Sequence, residues 1–145
     1  MNEQETLVAN YLQYLRAHRV HDASLSSEDE FAAWEAVEEC IDRDPELAWT
    51  VLIAVLDRCD PAERYLLGTG ALETFFFHHV VPFSERIEEQ LRTNPAFLDA
   101  FRFTYMGGVP EPIWRHFNGI LAALAVPEHE LREWSWVDTE RYPQG

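Results

Sequence analysis

The stretch FAAWEAVEECIDRDPELAWTVLIAVL, residues 31–56, decides the fold that the sequence predicts. Asp44 and Pro45 divide it into two helices, because aspartate caps a helix well and proline is favoured in the first turn. After this corner, residues 47–56 are apolar on nearly every side of a helix, which predicts a buried central helix. We expect the rest of the chain to pack around it.

The helix before the corner is predicted to be amphipathic. Its apolar residues recur at helical spacing, and we expect them to face the core: Phe31, Trp34, Val37 and Ile41. The opposite face is acidic and is formed by Glu35, Glu38, Glu39 and Asp42. Because these carboxylates fall at positions i, i+3, i+4 and i+7, they share one side of the helix.

Helix start signals recur along the chain and predict an all-α fold. Asx-Pro pairs begin at residues 44, 60 and 94, Ser27 and Glu30 can form a capping box, and Pro82 is expected to end a helix. Few segments alternate with the period of a strand. We therefore predict a single domain, residues 1–145, built as a compact bundle of eight or nine short helices, the last of which opens at Pro127. The repeated Asx-Pro starts suggest HEAT-like stacked helical hairpins, although their spacing is uneven.

Charge is the most unusual feature of the composition. The chain has 26 acidic and 11 basic residues, a net charge of −15, and no lysine. Such a surface repels nucleic-acid phosphates and anionic lipids, so we predict binding to neither nucleic acid nor membrane. It would attract a basic protein partner; the alternative is that the acidity only keeps the protein soluble.

The cysteines and the N-terminus indicate a cytoplasmic protein. Cys40 and Cys59 lie in predicted helices and form no CxxC pair, so we expect buried free thiols in a reducing compartment. No apolar run approaches the roughly 20 residues that a membrane span needs. The N-terminal residues, MNEQETLVANYL, contain no basic region, and we therefore expect no signal peptide.

Residues that could carry chemistry are few, and we predict no catalytic site, no cofactor and no bound metal. His78 and His79 are adjacent, so on a helix their side chains project about 100° apart and cannot chelate one ion from one face. One alternative stays open: a small enzyme or small-ligand-binding protein that uses Glu73, His78 and His79, since Glu73 is among the more interior carboxylates.

Tryptophan is distributed between the predicted core and the C-terminal end. Trp34, Trp49 and Trp114 are expected in the core. Trp134 and Trp136 could anchor a partner protein, because tryptophan is enriched at interface hot spots. They could also fasten the aromatic tail, residues 135–145, to its own domain, and we expect the tail to dock in this way.

Taken together, these residues resemble an uncharacterised family of small bacterial all-helical proteins, a domain of unknown function. The resemblance covers about residues 30–118, and it is carried by residues 34–41, 44–49, 68–73, 87–88, 94–95 and 109–110 and by Trp114. Ala71 departs from the pattern, since the family usually has proline there. The resemblance implies a helical fold in the bacterial cytosol and transfers no catalytic residue.

The leading functional hypothesis is an acidic protein-interaction module that binds a basic partner. Its most specific form is a cytoplasmic immunity-type protein that neutralises a nuclease-type toxin, because such toxins carry basic surfaces. The predicted binding residues are Glu35, Glu38, Glu39, Asp42, Trp134 and Trp136.

Overall fold

The computed structural model describes residues 1–20, 26–124 and 140–142. These residues confirm the all-α prediction: 83% of them are helical and none lies in a β-strand. The described residues form seven α-helices: α1 (Glu3–Val20), α2 (Ser27–Arg43), α3 (Pro45–Arg58), α4 (Arg64–Thr69), α5 (Ala71–Thr93), α6 (Pro95–Phe101) and α7 (Glu111–Ala123). A 3₁₀ turn (Pro61–Glu63) precedes α4. None of the described helices is long and apolar enough to cross a membrane.

The Asx-Pro pairs begin helices as predicted. Asp44 Oδ1 accepts a hydrogen bond from the Leu47 N–H at 3.1 Å, and Asn94 Oδ1 accepts one from the Ala96 N–H at 3.1 Å. Each bond satisfies a backbone donor that the first turn leaves without a partner. The cap of α2 differs by one residue from the predicted one, since Ser26 Oγ accepts from the Asp29 N–H.

The prediction that Pro82 ends a helix is wrong. Pro82 lies inside α5, which continues to Thr93 and joins two segments that were expected to be separate helices. Proline removes one intrahelical hydrogen bond at a cost of about 3 kcal/mol. Pro82 is exposed, and buried side chains continue on the core face before and after it, from Phe75 to Leu91. Their packing offsets the cost.

Helix α3 is the central helix, as predicted. Every residue from 47 to 56 except Thr50 is buried or half-buried. Helices α1, α2, α5 and α6 all contact α3, and α7 packs on α5. The Trp49 ring lies 5.4–5.9 Å from the rings of Phe75, Phe83 and Phe97, which joins α3 to α5 and α6.

The two cysteines are buried and unpaired, as predicted. Burial raises the pKa of both thiols, so Cys40 and Cys59 are held as neutral thiols that fill the core.

The described residues contain seven α-helices, and α5 joins two segments that were predicted to be separate helices. The last predicted helix, which opens at Pro127, lies outside the described residues. Most of the predicted aromatic tail, residues 135–145, lies outside them as well. Tyr142 is described, and its hydroxyl donates a hydrogen bond to the Phe77 carbonyl of α5.

Candidate protein-interaction surface

Two aromatic residues that were predicted to face the core lie on the surface instead. Phe31 is 58% exposed and Trp34 is 36% exposed, and their rings are 5.7 Å apart. The core face of α2 is formed by Ala33, Val37, Cys40 and Ile41. Phe31 is four residues before Glu35 and Trp34 is four residues before Glu38, so both aromatic residues share the acidic side of the helix.

Phe31 and Trp34 form one wall of a groove between α1 and α2, which we call the aromatic groove. Tyr14 and His18 of α1 form the other wall, with their rings 5.7 Å apart. The groove has a volume of about 270 Å³, and Ser27 and Glu30 complete its lining. This volume is at the lower limit of small-molecule pockets and suits an inserted side chain better.

Two carboxylates act on the aromatic groove, Glu30 in its lining and Glu38 from its half-buried position. Burial raises the pKa of the Tyr14 hydroxyl, and the negative charges of Glu30 and Glu38 raise it further. Both carboxylates are therefore close enough to act on the groove electrostatically. A cation placed between the aromatic faces would be attracted by the rings and by these charges together.

The predicted acidic face is divided by the tertiary structure. Glu35, Glu39 and Asp42 are exposed, and none of the described residues forms an ion pair with them. We call these three residues the acidic stripe. Glu38 is half-buried between α2 and α5, where its carboxylate accepts a hydrogen bond from the Thr74 hydroxyl at 3.1 Å. Glu38 therefore supports the helix packing and does not belong to the open surface.

Burial raises the pKa of the Glu38 carboxyl, and the hydrogen bond from Thr74 partly opposes this shift. Because the pKa is higher in the folded than in the unfolded state, the folded protein binds this proton more tightly. The stability gained in this way is complete below pH 4.5, the ordinary pKa, and is lost as the pH rises through the raised pKa. At neutral pH the buried charge is a cost to folding.

We expect Glu38→Gln to raise the free energy of unfolding more at about pH 7 than at about pH 4, since glutamine keeps the size and an acceptor without the charge. Urea unfolding followed by circular dichroism at both pH values measures the effect. Glu39→Gln is the matched control, because Glu39 is exposed on the same helix. Equal changes in the two variants at both pH values would contradict the burial of Glu38.

Glu73, His78 and His79, the residues of the alternative enzyme hypothesis, all lie on α5. The side chains of Glu73 and His79 contact different parts of the fold. Glu73 Oε1 accepts a hydrogen bond from the Tyr105 N–H at 2.7 Å, in the segment after α6. His79 Nε2 lies 2.6 Å from the Ile41 carbonyl of α2, and therefore donates to it. The His78 ring is 6.0 Å from that of His79. Burial raises the pKa of Glu73, but its carboxylate and the His79 ring are directed at separate neighbours.

Within the described parts of the chain, no three histidine, cysteine, aspartate or glutamate side chains are grouped so that they could hold a metal ion. Trp134 and Trp136, the predicted aromatic anchors, lie outside the described residues. The aromatic residues that the structure places beside the acidic stripe are Phe31 and Trp34.

The chain matches no protein-family model, no curated protein and no solved structure.

Proposed function

We propose that this protein is an acidic protein-interaction module that binds a basic partner through the aromatic groove and the acidic stripe. The observation that carries the proposal is the exposure of Phe31 and Trp34 on α2, the helix that also carries the unpaired carboxylates of the acidic stripe. Exposed tryptophan is costly in water, and tryptophan is enriched among the residues that dominate binding energy at interfaces.

Charge complementarity defines the partner. A net charge of −15 steers basic proteins toward this surface, and the acidic stripe would sit at the rim of the contact. An arginine of the partner, inserted into the aromatic groove, would stack on the rings and lie near Glu30. A cytoplasmic immunity-type protein that neutralises a nuclease-type toxin in bacteria is the most specific form of the proposal.

The proposal extends to the arrangement of the helices. The pairs α2–α3 and α5–α6 are each joined at an Asx-Pro corner, and α3 contacts both members of the second pair. These pairs are the units that a HEAT-like stack of helical hairpins would use, and such stacks present extended surfaces to protein partners.

Affinity capture from the native host, performed in parallel with wild type and surface variants, tests the proposal. We expect wild type and Tyr65→Ala to capture the specific partner, a basic protein. Trp34→Ala should fail to capture it. Tyr65 is the matched control, because it is 54% exposed on α4. With the purified partner, Trp34→Ala should weaken binding by about 2 kcal/mol, the usual loss at a tryptophan hot spot.

The acidic stripe is tested by the triple variant Glu35→Gln, Glu39→Gln, Asp42→Asn. We expect slower association and a shallower dependence on salt, because long-range attraction acts mainly on the association rate. Asp57→Asn, Glu85→Gln and Glu89→Gln together remove the same charge from exposed positions on α3 and α5 and serve as the control. If both triple variants change the kinetics equally, or if no protein shows the predicted capture pattern, the proposed docking surface is wrong.

A further inference from the structure

We propose that a second cavity, away from the aromatic groove, binds a small organic anion that carries carboxylate or phosphate groups. The cavity has a volume of about 440 Å³ and lies among α1, the C-terminal end of α3 and the 3₁₀ turn. Its lining is formed by Leu12, Gln13, Arg16, Arg58, Asp60 and Glu63.

The arginines of this cavity differ from the others that the structure describes. Seven described arginines form ion pairs with carboxylates: Arg19, Arg43, Arg64, Arg86, Arg92, Arg102 and Arg115. An eighth, Arg141, lies over the Phe77 ring. Arg16 and Arg58 form no ion pair with any described residue, although the chain has 26 acidic residues, and both line the same cavity.

The two carboxylates that line the cavity are already engaged. Asp60 Oδ1 accepts from the Ala62 N–H at 2.9 Å, as the cap of the 3₁₀ turn. Glu63, only 4% exposed, accepts from the Asp60 N–H at 2.8 Å through Oε1, and its Oε2 is 3.4 Å from Arg19 Nε. Neither carboxylate neutralises Arg16 or Arg58 by an ion pair.

The free donors of the cavity therefore favour an oxyanion. Each guanidinium can donate two parallel hydrogen bonds to a carboxylate or a phosphate. The Gln13 amide adds a donor, and the half-buried Leu12 provides an apolar wall. The volume of about 440 Å³ lies within the range of small-molecule sites.

The charge of the whole chain limits the size of this anion. A net charge of −15 repels a polyanion such as nucleic acid, which would extend beyond the cavity onto acidic surface. A small anion that fits inside meets the positive charges of Arg16 and Arg58, and of the two carboxylates in the lining, that of Glu63 is paired with Arg19. The ligand class is therefore a small dicarboxylate or phosphate ester.

Titration of ¹⁵N-labelled protein with succinate and with inorganic phosphate, at constant ionic strength set by sodium chloride, tests the inference. We expect saturable shifts of amide resonances around the cavity with at least one anion. The anion that binds more tightly distinguishes a carboxylate ligand from a phosphate ligand. Absence of saturable shifts with both anions would overturn the proposal.

The variants Arg16→Gln and Arg58→Gln should each weaken binding about tenfold or more, since a charged hydrogen bond is lost. Arg115→Gln is the control, because it removes an exposed arginine from α7, away from the cavity. An equal loss in the control would show that net charge, and not the cavity, governs the interaction. Circular dichroism of each variant establishes that the fold is retained.

Discussion

Replacing Val51 with aspartate should lower the free energy of unfolding by about 3 kcal/mol or more. Val51 is 1% exposed in the central helix α3, where water cannot reach a carboxylate. The variant must either bury an unpaired charge or move α3 away from its neighbours, and both cost stability. Urea unfolding followed by far-ultraviolet circular dichroism measures the change.

Thr50→Asp provides the matched control for this substitution. Thr50 is the neighbouring residue on α3 and is exposed, so its carboxylate stays in water. We expect a change within about 0.5 kcal/mol, as for most surface substitutions. If Val51→Asp unfolds at the same urea concentration as Thr50→Asp, then α3 is not the core of the fold.

Replacing Gly68 with alanine should cost about 3 kcal/mol, because α4 and α6 approach each other too closely for a side chain. A Cβ atom at residue 68 would lie 1.9 Å from the Ala100 carbonyl oxygen and 2.9 Å from its carbon. These are backbone atoms, so the helices themselves would have to separate. The separation would also strain the buried hydrogen bond from the Thr104 hydroxyl to the Gly68 carbonyl, which is 2.8 Å long.

Gly119→Ala is the control for a glycine whose neighbourhood is open. Gly119 lies in α7, and a Cβ atom there would meet no atom within 4 Å. We expect a gain of up to about 1 kcal/mol from the higher helix propensity of alanine. Thermal and urea unfolding compare the two variants directly. Similar effects of the two substitutions would contradict the close approach of α4 and α6.

Local chemistry in the sequence was enough to predict the helical fold class and most helix starts. Asp44 and Asn94 cap the helices that they were expected to cap, since capping depends on residues within one turn. The apolar character of residues 47–56 on nearly every side was enough to place α3 at the centre. Such signals do not require knowledge of distant neighbours.

Only the tertiary structure decided which side chains are exposed and which are buried. Helical spacing predicted that Phe31 and Trp34 face the core, but the packing of α1 and α5 on α2 buries Ala33 and Cys40 instead. Pro82 stays inside α5 because long-range packing offsets one lost hydrogen bond.

The candidate sites depend on residues that are distant in sequence. Glu38 does not belong to the exposed acidic face because its carboxylate accepts a hydrogen bond from the Thr74 hydroxyl, 36 residues later in the chain. Arg16 and Arg58 line one cavity because α1 packs against α3, a contact that no local pattern encodes. The sequence by itself determined which segments are helical, through caps and periodicity; the tertiary structure alone decided which polar and aromatic side chains meet, because burial and charge pairing depend on neighbours that only folding brings together.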